Sequence, residues 1–154
     1  MRTYKEKNKL VFMSVISVFT VILGIVLAFL GFFIASVGFG LQYDGMSDSA
    51  YRESQMILVA GLCIVIEGFY FAFAGLMGAI TNGIKDCVAK LYKYSFVMLA
   101  FSIANVLIEA FLLKYNWNVL IISLLATIGV ISLLYLLGAF LNARKVKTFD
   151  EEIL

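Results

Sequence analysis

Between Leu10 and Gly38 the chain carries no charged residue for nearly thirty positions, a run that spans roughly 43 Å as a helix. In lipid every backbone N–H and C=O must find a partner within the segment, and a single helix is the simplest structure that provides one. A basic head, MRTYKEKNK, precedes this run in the manner of a signal peptide, but the run is too long for that role and lacks a convincing small-residue cleavage site in a polar context. It reads as a retained first span, tilted or projecting past the hydrocarbon core.

Three further apolar runs follow, so the expected spans are 10–38, 56–80, 94–113 and 117–140. Hydrophobic residues make up 63% of the chain and charged ones 14%, which sets it outside the usual balance of soluble domains. The expected fold is an all-α integral membrane protein, a four-transmembrane-helix bundle forming a single membrane domain over residues 1–154. Basic residues cluster at Arg2, Lys5, Lys7 and Lys9, at Lys85, Lys90 and Lys93, and at Arg144, Lys145 and Lys147. The positive-inside rule therefore places both termini and the middle connection in the cytoplasm of a multi-pass cell-membrane protein. In that middle connection Ile84, Val88, Leu91 and Tyr92 recur at helical steps, which suits either a surface segment or a downward extension of the third helix.

Small residues set the expected packing. On the first span Ser17, Gly24, Ala28, Gly31, Ala35 and Gly38 recur at alternating steps of four and three once Val21 is included, which favours a gently left-handed helix pair. On the second span Gly61, Gly68, Ala72, Gly75 and Ala79 form a similar stripe. The two spans must form a hairpin, so these stripes are expected to face each other. About 100° around the second helix runs a second lean face, Ala60, Glu67, Phe71, Ala74 and Gly78.

Glu67 is the residue that most needs explaining. An acidic side chain at mid-bilayer costs about 2.5–3.5 kcal/mol on an insertion scale, and such residues mark functional sites or specific contacts. Counting 1.5 Å per residue, Glu67 lies about 17 Å below Met56 and Asn105 about 12 Å below Leu113 on the antiparallel third span. The two are closer in level than Glu67 and Glu109. Ser102, Asn105 and Glu109 share one face of the third span, with Met98 continuing the line. Thr127 adds a polar position on the fourth span, and Tyr135 lies deep enough to need a hydroxyl partner.

Several functions lack their machinery. Histidine is absent, removing the usual general base and the commonest metal ligand, and no metal cluster, cofactor motif or phosphate-binding glycine loop is present. Cys63 and Cys87 have no redox or metal spacing. The net charge of +2 says nothing in favour of nucleic acid. Two readings stay open. One is a non-enzymatic accessory or assembly subunit, in contact with membrane lipid, that self-associates or joins another integral membrane protein through Glu67 and Asn105. The other is a minimal transporter or channel passing a proton or cation along Glu67, Asn105, Ser102 and Thr127, with Glu109 at the outer mouth.

Overall fold

The structure is a computed structural model describing residues 10–42, 45–112 and 119–151, with side chains described except at Lys85 and residues 109–112, 119–124 and 146–151. Among the described residues four α-helices follow one another, α1 (Val11–Gly40), α2 (Asp48–Thr81), α3 (Val88–Leu112) and α4 (Val119–Glu151), and a 3-10 turn at Lys85–Cys87 leads into α3. Each helix is long and apolar enough to cross a membrane. The described residues contain helices and no sheet, as expected for an integral multi-pass membrane protein.

The helices outrun the apolar stretches that define them. α2 begins at Asp48, eight residues before the apolar run, because Ser47 caps it by accepting the Ala50 N–H at 3.4 Å and Asp48 stands in the positive first turn. α3 begins at Val88, so the middle connection extends the third helix downward and buries Leu91. α4 continues through Arg144 and Lys145 to Glu151. No glycine or proline follows Gly138 to stop it.

The bundle buries polar side chains among its apolar core and turns large apolar ones outward. Phe29, Phe33, Phe69 and Phe96 are exposed, while Ser17, Thr20, Glu67, Ser95, Asn105, Ser132 and Asn142 are buried. So much exposed aromatic and aliphatic surface would drive aggregation in water, whereas acyl chains solvate it at no cost. Thr20 and Ser95 each donate to the carbonyl one turn back on their own helix, and of Ser102 and Ser132 one hydroxyl donates to its own carbonyl and the other across to its partner, so most of these hydroxyls need no solvent.

α1 and α2 form by far the closest pair, and it is built on absent side chains. A Cβ added to Gly24 would strike the Gly68 carbonyl and the Ala72 backbone, and one added to Gly68 would strike the Gly24 carbonyl and Ala28. Gly31 and Gly61 meet in the same reciprocal way, with Ala35 beside Gly61, and Gly75 abuts the Ser17 carbonyl and Val21. Backbone lies directly on backbone along this seam, the geometry that small residues permit between membrane helices. Around the rest of the bundle α3 packs on α4 and α2 on α3, and α4 closes the ring against α1.

One end of the bundle is tied by two asparagines. Thr81–Ile84 forms a type II turn, in which Asn82 has φ −57° and ψ 126°, Gly83 has φ +82°, and the Ile84 N–H donates to the Thr81 carbonyl at 3.1 Å. Only glycine takes that φ without strain. The Asn82 side chain accepts from the Leu10 N–H at 3.0 Å and donates to the Leu10 carbonyl and the Ser14 hydroxyl, each at 2.8 Å. The Gly83 N–H donates to Asn142 Oδ1 on α4 at 2.9 Å. The start of α1, the end of α2 and the late part of α4 therefore meet at the same end.

Candidate functional site

The Glu67 face of α2 is directed into the bundle. Glu67 is 0% exposed, and Asn105 on α3 donates its side-chain amide to Oε2. The other carboxylate oxygen, Oε1, is buried without a hydrogen-bond partner. An unpaired buried acceptor is costly, and Oε1 shares that state with Ser17 Oγ and Asn142 Nδ2.

The pair sits at the top of a polar row. α3 turns Leu91, Ser95, Met98, Ser102 and Asn105 inward at steps of four and three, and α4 turns Ile128, Ser132, Tyr135, Ala139 and Asn142 inward. Ser102 and Ser132 share a hydrogen bond at 2.9 Å between these two helices. Lower down, Tyr135 donates its hydroxyl to the Ala74 carbonyl at 2.6 Å. Between the pair and the asparagine ties, the fully buried Phe71, Met98 and Leu91 fill the centre with apolar volume.

α2 and α3 are joined unevenly along their length. On the tied side of the pair the rings of Tyr70 and Phe101 lie 5.5 Å apart and those of Phe73 and Tyr94 lie 5.7 Å apart. On the other side the helices part to leave an apolar groove of about 440 Å³ against Met56, Val59 and Cys63 of α2 and Leu107 and Ile108 of α3.

The residues expected to line a polar site are distributed as follows. Glu67 and Asn105 are bonded, and Ser102 is one turn away on α3, bonded to Ser132. Thr127 is exposed on α4, and the inward position opposite Ser102 belongs to Ser132. The side chain of Glu109 lies outside the described residues. The small residues Gly24, Ala28, Gly31, Ala35, Gly61, Gly68 and Gly75 occur in the α1–α2 seam, with Ala72 against Gly24. Cys63 and Cys87 are free thiols. Among the described residues no three His, Cys, Asp or Glu side chains lie close enough to hold a metal.

Sequence reasoning missed Asn82, Asn142 and Ser132. Asn82 is followed by Gly83 where an apolar run ends, a turn signal that says nothing of a side chain reaching back to Leu10. Ser132, Tyr135 and Asn142 recur at steps of three and seven, and that shared face was the available clue to α4's orientation.

Comparison with known protein families, with curated proteins and with solved structures finds no match to this chain.

Proposed function

We propose that the chain is a non-enzymatic accessory or assembly subunit of a membrane complex, a compact helical module whose interior contacts are set by Glu67 and Asn105. The observation that carries this reading is the enclosure of the pair: Glu67 is fully buried and bonded to Asn105 within one chain, beside a centre filled by Phe71 and Met98. Polar groups at this depth specify which helices meet and at what rotation, because a misplaced pair leaves them unsatisfied in hydrocarbon. The apolar outward faces are then free to meet lipid, a second copy or another integral membrane protein. We place the asparagine-tied end in the cytoplasm, since Lys90 and Lys93 follow α2 there and Arg144 and Lys145 follow Asn142.

The test is extraction from native membranes in mild detergent, followed by native mass measurement of copy number and identification of co-purifying membrane proteins. Glu67→Gln keeps the complex, since an amide can still bond to Asn105, and Glu67→Leu weakens it. A lone chain with no partner, in wild type and Glu67→Leu alike, would falsify the reading.

A second reading is supported by a different atom. The unpartnered Oε1 of Glu67 is an acceptor available to a proton or cation, and carboxylates of this kind serve in membrane ion pathways. Here Glu67→Gln abolishes proton- or cation-dependent flux in liposomes while leaving assembly intact. Absence of flux for the wild-type chain under every ion tested removes this reading.

A further inference from the structure

The Ser102–Ser132 bond fixes how α3 and α4 lie alongside each other. The helices are antiparallel, so positions equally far from that bond toward the asparagine-tied end stand at one level. Lys90 is twelve residues from Ser102 and Arg144 is twelve from Ser132, which puts both about 18 Å from the bond. Lys93 lies three positions nearer and Lys145 one position farther. Among the residues whose side chains are described, this end carries Lys90, Lys93, Arg144 and Lys145 against one acid, Asp86. The opposite end carries Asp48 and Glu53 against Arg52.

Lys93 and Arg144 also share a direction. On α3, Lys93, Phe96 and Val97 are exposed, on the face opposite the buried Leu91, Ser95 and Met98. On α4, Leu137, Phe140 and Arg144 are exposed, opposite the buried Tyr135, Ala139 and Asn142. The outward faces of two packed helices therefore join into one surface, basic at the tied end and apolar beyond it. From Lys93 to the exposed Ile103 the α3 face stays apolar for about 15 Å, the depth of one leaflet in a hydrocarbon core of about 30 Å. Arg144 is bent toward this apolar part. Its guanidinium carbon lies 5.6 Å from the centre of the Phe140 ring, one turn nearer the middle of the bilayer, which raises the charge to about the level of Lys93. A basic head at a span end ordinarily extends toward water. Here the ring keeps it at the boundary where acyl chains meet headgroups.

We propose that the joined outward faces of α3 and α4 bind one anionic phospholipid, with its phosphodiester between Lys93 and Arg144 and its chains along Phe96, Val97 and Leu137. Charge complementarity selects this occupant. Stacking engages the face of the guanidinium, whose five N–H donors lie in its plane in the fork that suits phosphate oxygens. A zwitterionic headgroup brings a further cation into a patch that is already basic. An inorganic anion meets the charges and leaves the apolar faces to unrelated chains, and an acidic polypeptide at this depth sets its backbone polar groups against hydrocarbon. An anionic phospholipid matches both parts of the surface in one molecule. The inference is independent of the assembly and transport readings and of which side of the membrane the tied end faces.

The experiment uses the full chain in a neutral detergent, titrated with dioleoylphosphatidylglycerol or dioleoylphosphatidylcholine and read by native mass measurement. The expected result is one phosphatidylglycerol per chain, held about tenfold or more tighter than phosphatidylcholine, and displaced neither by inorganic phosphate nor by hexaglutamate. Lys93→Gln and Arg144→Gln each weaken it about fivefold, the effect of one basic residue at an anionic surface. Phe140→Ala weakens it several-fold at unchanged charge, because the guanidinium is no longer held at the boundary, and Arg52→Gln at the opposite end leaves it unaltered. Equal binding of the two lipids, or an equal loss in Arg52→Gln, overturns the proposal. So does displacement by phosphate, which marks a free-anion site, or by hexaglutamate, which marks a protein-docking face. Should the variants fail to fold, phosphatidylglycerol with a diazirine near the glycerol end of one chain decides the matter on the wild-type chain. Labelling of residues 93–97 and 137–144 that excess phosphatidylglycerol suppresses and phosphatidylcholine does not supports the site, and labelling elsewhere or equal suppression by both overturns it.

Discussion

Tyr135 on α4 reaches across the bundle to donate its hydroxyl to the Ala74 carbonyl of α2 at 2.6 Å, and it can do so because residue 78 is glycine. A Cβ on Gly78 would stand 2.6 Å from the Tyr135 hydroxyl and 2.5 Å from Ser17 Oγ. The phenol thus joins two helices that are not neighbours around the ring. Tyr135→Phe should lower stability by about 0.5–1.5 kcal/mol, the net worth of one hydrogen bond, since Ala74 can keep its own helical partner. Gly78→Ala should cost more, about 1–3 kcal/mol, by overpacking. Reversible unfolding in mixed micelles measures both, and a Gly78→Ala variant as stable as wild type would show that the contact yields easily.

The α1–α2 seam makes a sharper contrast. Gly24→Ala and Gly68→Ala each aim a methyl at the facing helix backbone, which can give way only by separating the pair, so a loss of about 1–3 kcal/mol or more is expected for each. Gly129 on α4 has open space where its Cβ would be. Gly129→Ala should therefore be neutral or stabilising by up to about 1 kcal/mol through helix propensity. Equal effects at Gly68 and Gly129 would contradict the seam.

The Glu67–Asn105 bond predicts non-additive substitutions. Asn105→Leu leaves Glu67 buried with both oxygens unpaired, whereas Glu67→Leu with Asn105→Leu removes the need for a bond altogether. The double variant should be more stable than Asn105→Leu alone. The coupling energy should be about 0.6–1.7 kcal/mol, the range from average to maximum for polar pairs in membrane helices. Strict additivity in the cycle would mean that the pair contributes nothing to the fold.

The asparagine ties predict a local effect. Asn82→Ala releases the Leu10 N–H and carbonyl together with the Ser14 hydroxyl, so amide exchange over Leu10–Ser14 should accelerate while the α1–α2 seam stays protected. Gly83→Ala adds about 1–2 kcal/mol of left-handed backbone strain and should loosen the same end. Exchange spread evenly along α1 in Asn82→Ala would argue that the tie supports the whole bundle.

Much of this architecture is legible in residue order because the bilayer narrows the choices. Long uncharged runs must become helices, since no other arrangement satisfies their backbone within the segment. A hairpin of two spans with small residues at the same spacing has one economical way to pack, with Gly24, Gly31, Gly61 and Gly68 between the helices. Rise per residue alone brings Glu67 and Asn105 to nearly the same level.

The rotation of each helix about its axis is another matter. Thr127 and Ser132 are both small polar residues on α4, and only the packed bundle turns Ser132 inward to Ser102 while leaving Thr127 exposed. Asn82 and Asn142 read as the end of one span and the exit of another until the fold brings Leu10 and Gly83 within reach of them. The groove between α2 and α3 is farther still from the sequence, since its walls come from two helices, Met56, Val59 and Cys63 on one and Leu107 and Ile108 on the other. By itself the sequence determined four membrane-length helices, the lean faces of the first two and the neighbouring levels of Glu67 and Asn105 along their helices. Those are properties of one helix at a time, set by spacing and hydrophobicity. The tertiary structure alone decided which polar groups meet and which oxygen stays unpaired, because the contacts of every helix together determine how each one turns and how closely it can approach its neighbours.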